Sequence, residues 1–190
     1  MWLDWKLKLP NSIVSVEATD FITAFGRLLL DGNLRDMFAV NPQAAAEKVQ
    51  LRPVDCPTWL RLVPEDVEFQ ANILLRKRLD LVKFFTPETC RQLGEKLWVA
   101  FRDYARVNWP PDGSAKISDS FHFCHHLKKQ IPEVVVAAEW NRLDFAFSKQ
   151  KTALHWIHTS APNGSARRGL QFFFRGKDKR WLEFFFHLGL

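Results

Sequence analysis

Apolar and polar positions in the last forty residues alternate with the period of strands. Three are expected: Thr152–Thr159, Leu170–Arg175 and Trp181–Leu188. Successive side chains in a strand point to opposite faces. One face of this sheet carries Leu154, Trp156, Leu170, Phe172, Phe174, Leu182, Phe184 and Phe186, and reads as core. The other mixes Phe173, Trp181 and Phe185 with Gln171, Arg175, Glu183 and His187, so it is neither clean core nor clean solvent face. The segment Gly176–Arg180 is hairpin-sized, and Ser160–Gly169 is longer. The sheet reads as the working surface and the helices before it as its platform.

A further alternation opens the chain. Leu3, Trp5, Leu7 and Leu9 lie on one side, with Trp2, Asp4, Lys6 and Lys8 on the other, and Pro10 closes the run. This strand either joins the C-terminal sheet or docks on a partner.

Between these ends the pattern is helical. Ser15 or Thr19 can cap a helix to about Leu30, with Phe21, Phe25, Leu28 and Leu29 on one face and Asp31-Gly32 as its stop. Asn33 can open a short helix, and Asn41-Pro42 pairs a capping residue with a first-turn proline. Pro64 starts a long helix with Ala71, Leu75, Leu79 and Val82 on its apolar face. Thr86-Pro87-Glu88 restarts a helix to about Val107, and Asp119–Lys129 forms another. Residues 132–147 read as a helix despite three consecutive valines, because Val136, Trp140, Leu143 and Phe147 share a helical face. The result is an α+β chain: a helical domain over residues 1–150, with the N-terminal strand or arm, followed by a small antiparallel sheet over 151–190.

Composition narrows the class. The chain has 190 residues, 47% of them apolar, enough to bury a core and too many for a disordered segment. No run reaches the length of a membrane span, and the first residues lack the charged-then-apolar pattern of an export signal, so a cytoplasmic chain is expected. Cys56, Cys90 and Cys124 are scattered and odd in number, which implies thiols rather than a disulfide framework.

Charge is distributed unevenly along the chain. Residues 149–190 hold eight Lys or Arg against Asp178 and Glu183, a balance of +6 that equals the net charge of the whole chain. This basic field either attracts nucleic acid, an acidic peptide or an acidic partner, or protects a very apolar sheet from aggregation.

Candidate chemistry is sparse. His122 and His126 stand four apart on a helix, a spacing usable by two metal ligands, but further ligands are not evident nearby, so no metal site and no catalytic residue are assigned. There is no Gly-x-Ser-x-Gly elbow, Walker loop or dinucleotide fingerprint. Arg76-Lys77-Arg78 spreads round a helix, and an arginine in an apolar helix is expected to pair with a buried carboxylate. The more specific feature is the mixed face of the sheet. Trp181, Phe173, Phe185, Arg175 and His155, with Arg167 and Arg168 in the basic field, are the candidate contacts for a peptide or partner. A sheet edge can also take an extended peptide as a further strand. The plainer alternative is that the chain's own helices or its N-terminal arm cover this face.

Several segments resemble a known family. They are Leu28-Leu-Leu-Asp-Gly-Asn-Leu-Arg-Asp-Met-Phe-Ala-Val-Asn-Pro-Gln-Ala-Ala46, Arg76-Lys-Arg-Leu79, Leu93-Gly-Glu-Lys-Leu-Trp-Val-Ala-Phe-Arg-Asp-Tyr-Ala105, Asp119-Ser-Phe-His-Phe123 and Ala138-Glu-Trp140. Their order and spacing over about residues 15–145 are similar to those of the small domains labelled DNA-binding that accompany multinuclear iron oxygenases of the DUF692 group. Length and tryptophan content are most like the branch that serves biosynthesis of methanobactin, a copper-chelating peptide. The resemblance implies a non-catalytic subunit without a cofactor of its own, paired as a heterodimer with an iron-bearing oxygenase. The pair would convert cysteines of a ribosomally made precursor to oxazolone and thioamide groups, with this subunit reading the precursor's leader. The label, with the basic C-terminus, leaves a nucleic-acid-binding regulator as the alternative.

Overall fold

The computed structural model describes residues 18–109, 115–160, 166–177 and 180–188. Within these, helices come first and an antiparallel sheet last, an α+β arrangement. The expected N-terminal strand and Ser15 lie outside the described residues.

Short polar side chains set the first turns. Helix α1 (Phe21–Leu30) is capped by Asp20 rather than Thr19. The Asp20 carboxylate accepts from the Thr23 N–H at 2.9 Å and the Thr23 hydroxyl at 3.1 Å. These bonds, the backbone one first, hold its pKa below the ordinary carboxylate value. Thr19 instead forms a parallel bridge with Leu51. Asp31 both closes α1 and caps α2 (Gly32–Val40), accepting from the N–H groups of Asn33 and Leu34, so α2 starts at Gly32. Asn41 caps α3 (Pro42–Lys48) through the Ala44 N–H, as the Asn-Pro pair predicts. Trp59, at the end of α4 (Cys56–Trp59), is fully buried, packs edge-on against Phe38 and donates its indole N–H to the Pro42 carbonyl at 2.9 Å. These residues form a first core with Ala24, Leu28, Leu34 and Val67.

Helix α5 (Pro64–Phe85) has 22 residues, a length of about 33 Å. It links this core, through Val67, to a second one, through Leu75, Leu79 and Val82. Leu93, Phe101, Tyr104, Phe123 and Leu127 complete the second core. The helix expected from Thr86 to about Val107 is in fact two, α6 (Pro87–Leu93) and α7 (Leu97–Ala105). The break falls at Gly94, whose φ of 52° suits a residue without a Cβ. Helix α8 (Ala115–Gln130) follows. The 132–147 segment is helical only from Ala137: Pro132–Val134 make a 3-10 turn, Val136 is extended, and α9 is Ala137–Phe147. Val134 and Val135 spend their branched side chains on the second core instead.

Two buried polar ties hold this arrangement. Arg78 and Asp119 form the expected arginine–carboxylate pair, bidentate at 2.8 Å from both Nε and Nη2. Arg78 also donates to the carbonyls of Ala105 and Asn108, and the Tyr104 hydroxyl donates to Asp119. The second tie is a cap supplied from a distance. Thr86 turns its hydroxyl back to Val82, and the Glu139 carboxylate of α9 accepts from Glu88 N and Thr89 N at 2.7 and 2.8 Å. Glu139→Ala leaves both N–H groups without that partner, and should cost about 1–3 kcal/mol in urea unfolding. An unchanged midpoint would show that the cap carries no stability.

The sheet is a meander in the order β1-β2-β3, with β1 at Thr152–Ser160, β2 at Ala166–Arg175 and β3 at Trp181–Leu188. Helix α9 packs on one side of it. This packing decides which face is free.

Candidate functional site

The register defines two faces row by row. Leu154, Phe172 and Phe184 form one cross-strand row, and Trp156, Leu170 and Phe186 the next. Ala153, Phe173 and Glu183 form a row of the opposite face, flanked by His155, Gln171 and Phe185.

Helix α9 covers the mixed face, as the plainer of the two expectations had it, and what is reversed is the reading of the opposite face as core. Phe173 has no exposed surface, stacks on Phe145 at 4.9 Å and meets Trp181 and His155 edge-on. Gln171, Glu183 and Arg175 of this face bond to the helix and its C-terminal end, though Arg175 Nε is buried without a partner. The buried Gln171 amide donates to the Ala138 carbonyl and to Glu183, and accepts from Asn141. Arg142 grips Glu183 with two bonds of 2.7 and 3.1 Å. Arg175 caps the end of α9, donating to the carbonyls of Phe145 and Ser148 while its guanidinium lies 4.9 Å from the Phe145 ring centroid. Cations are favoured at the C-terminal end of a helix dipole. Gly169 leaves room for Phe185, since a Cβ there would stand 2.8 Å from its ring.

The predicted site residues therefore separate. Phe173 and Arg175 are structural ties to α9, with Trp181 and His155 half-buried beside them. Phe185 is on the same side and 38% exposed. Arg168 projects from the opposite face and is exposed. Arg167 pairs in register with Thr159.

The face read as core is the open one. Leu154, Trp156, Phe174, Leu182, Phe184 and Phe186 are each 45–63% exposed on it. Phe172 and Leu170 lie half-buried between them, and His158 and Arg168 stand at one end. The Trp156 indole N–H donates to His158 Nε2 at 2.8 Å. No carboxylate lies on this face among the described residues. Among the described residues, strands β1 and β3 are the two edges of the sheet. The signal that marks the inner face lies outside the sheet: Asn141 and Arg142 of α9 require polar partners, which Gln171 and Glu183 supply.

Comparison of the chain with family models, curated proteins and solved structures finds no match.

The remaining chemistry is modest. A cleft of about 410 Å³ between the end of α7 and α8 is lined by Tyr104, Asn108, Trp109, His122, His125, His126 and Lys129. Burial, and then the charge of Lys129, lower the pKa of His126. Among the described residues no three His, Cys, Asp or Glu side chains gather as a metal-binding group, and no helix is long and apolar enough to cross a membrane. Cys90 and Cys124 are buried, whereas Cys56 is half-exposed. Burial raises both buried thiols, Cys124 to about 12. At pH 8 a thiol with that pKa is thiolate in about one molecule in 10⁴. A disulfide reagent at pH 8 should label one of the three thiols quickly and the others only on unfolding; fast labelling of all three would contradict their burial.

Proposed function

We propose that the chain is a non-catalytic recognition subunit that acts in the cytoplasm beside a multinuclear iron oxygenase. It binds the leader of a ribosomally made precursor peptide, by strand addition at a sheet edge, while the oxygenase converts core cysteines to oxazolone and thioamide groups. The iron belongs to the oxygenase, and this chain contributes no catalytic residue. One observation carries the reading: among the described residues the sheet has two edge strands and a broad apolar face that the helices leave open. The similarity of the helical segments to the oxygenase-associated family supports it.

Strand addition suits a leader because the edge supplies backbone donors and acceptors without a preformed pocket. The added strand's alternate side chains would extend the row of Leu182, Phe184 and Phe186 on β3, or of Leu154 and Trp156 on β1. Tethering the leader raises the effective concentration of the core cysteines at the oxygenase, so binding here assists chemistry performed elsewhere.

Co-expression with a multinuclear iron oxygenase, the adjacent one if one is encoded, purification on a tag carried by this chain, and assay with precursor peptide test the reading. A stable iron-bearing pair that modifies only leader-bearing peptide is expected. A second reading draws on the same face: Trp156, Phe172 and Phe184 beside Arg168 also suit stacked bases and a phosphate backbone. A chain that emerges alone and binds single-stranded nucleic acid with steep salt dependence would replace the first reading with the second.

A further inference from the structure

The open face is too large to be incidental. Its six most exposed apolar side chains are 45–63% accessible, which amounts to on the order of 600 Å² of contiguous apolar surface. That is at the top of the range for the largest patch on an ordinary monomer. It also approaches the roughly 800 Å² that each partner contributes to a standard protein interface. The patch is made of side chains standing off the plane of all three strands, whereas strand addition uses the in-plane N–H and C=O groups of an edge, so the two surfaces are distinct.

Charge selects the occupant. Arg168 projects from the face itself, and Lys149, Lys151 and Lys177 stand exposed at the ends of the strands. The one acidic residue described in the sheet, Glu183, points to the inner face and is held by Arg142 and Gln171. A second copy of this chain would bring an equally basic rim against this one, an arrangement that like charges disfavour. Residues 1–9 carry Lys6 and Lys8 against Asp4 and complement the rim no better. A different protein with an acidic rim does.

We propose that the outer face of the sheet docks a partner protein whose contact surface is apolar at the centre and acidic at the rim. This deepens and rests on the two-subunit reading, which makes the iron oxygenase the partner; the oxygenase takes the face while the leader takes an edge. Trp156 and Phe174, in rows on either side of the Leu154-Phe172-Phe184 row, are the apolar anchors, and Arg168 sets orientation against a carboxylate.

The test uses the full chain with the same oxygenase as probe. Phe174→Glu and, separately, Trp156→Glu place a carboxylate on the open face, where a folded chain accommodates it. Both variants should keep the wild-type circular dichroism, yet bind the oxygenase at least about 30-fold more weakly, as loss of a central interface anchor does. Arg168→Glu should weaken binding about fivefold and flatten its salt dependence. Affinity for leader peptide alone should change less than about threefold for Phe174→Glu, because β2 is neither edge. Folded variants that bind the oxygenase as wild type does would overturn the proposal and leave the two-subunit reading standing. A wild-type chain that never pairs with the oxygenase would sink that reading and the proposal with it.

Two further outcomes would assign the face to other occupants and also overturn the proposal. One is a wild-type dimer in sedimentation that Phe174→Glu converts to monomer. The other is a several-fold rise in binding of an anilinonaphthalene dye on Trp5→Glu/Leu7→Glu that Phe174→Glu suppresses, which would place residues 1–9 over the face.

Discussion

Truncating Phe173 to alanine is expected to destabilise the fold by about 3–5 kcal/mol, the usual cost of emptying a buried aromatic site. For a chain of this size that corresponds to a fall in Tm of about 6–20 °C. The ring is fully buried, stacked on Phe145 and wedged between Trp181 and His155, so little around it can close the void. Phe184→Ala removes the same group from the other side of the sheet, where 45% of the residue is exposed. Its effect should stay within about 0.5–1 kcal/mol, near the value for a surface position. Thermal melts of the two variants measure the asymmetry directly. Equal losses would mean that the outer face is covered in the isolated chain.

Asp119→Ala should be as damaging for a different reason. Asp119 is 1% exposed and receives both Arg78 nitrogens at 2.8 Å and the Tyr104 hydroxyl. Removing it strands a buried guanidinium, which costs about 3–5 kcal/mol. The consequence should spread, because Arg78 also holds the carbonyls of Ala105 and Asn108 at the end of α7. Chemical unfolding followed by tryptophan fluorescence tests this, and Asp119→Asn serves as control. The amide keeps the shape and one acceptor, so it should lose less. An alanine variant as stable as wild type would show that Arg78 finds solvent or another acceptor.

Much of the helical part was legible in the sequence because its signals are local. Asn41-Pro42 and Asp31-Gly32 mark turns whatever surrounds them, and an arginine within an apolar helix points to a buried carboxylate such as Asp119. The helix break at Gly94 was missed because the apolar spacing continues across it. The remote cap from Glu139 was hidden because its partners lie about fifty residues away. The sheet was legible as three strands, but not in which way it faces. Alternation separates two faces without saying which one a helix will cover. Here the more apolar face stays open, and the mixed face closes through Gln171, Glu183 and Arg175, whose bonds to α9 cannot be read from strand periodicity. The segments that carry the family resemblance include Arg78, Asp119 and Glu139, which are ties of the scaffold. They speak for the platform more than for the surface it presents.

On the proposed reading a peptide joins this sheet at an edge. Amide hydrogen exchange of the chain with and without leader peptide tests it most directly. The expected result is slowed exchange at alternate amides along one edge strand, Thr152–Ser160 or Trp181–Leu188, with β2 unchanged because its amides are already paired on both sides. Protection confined to the helices, or none at saturating leader, would contradict it.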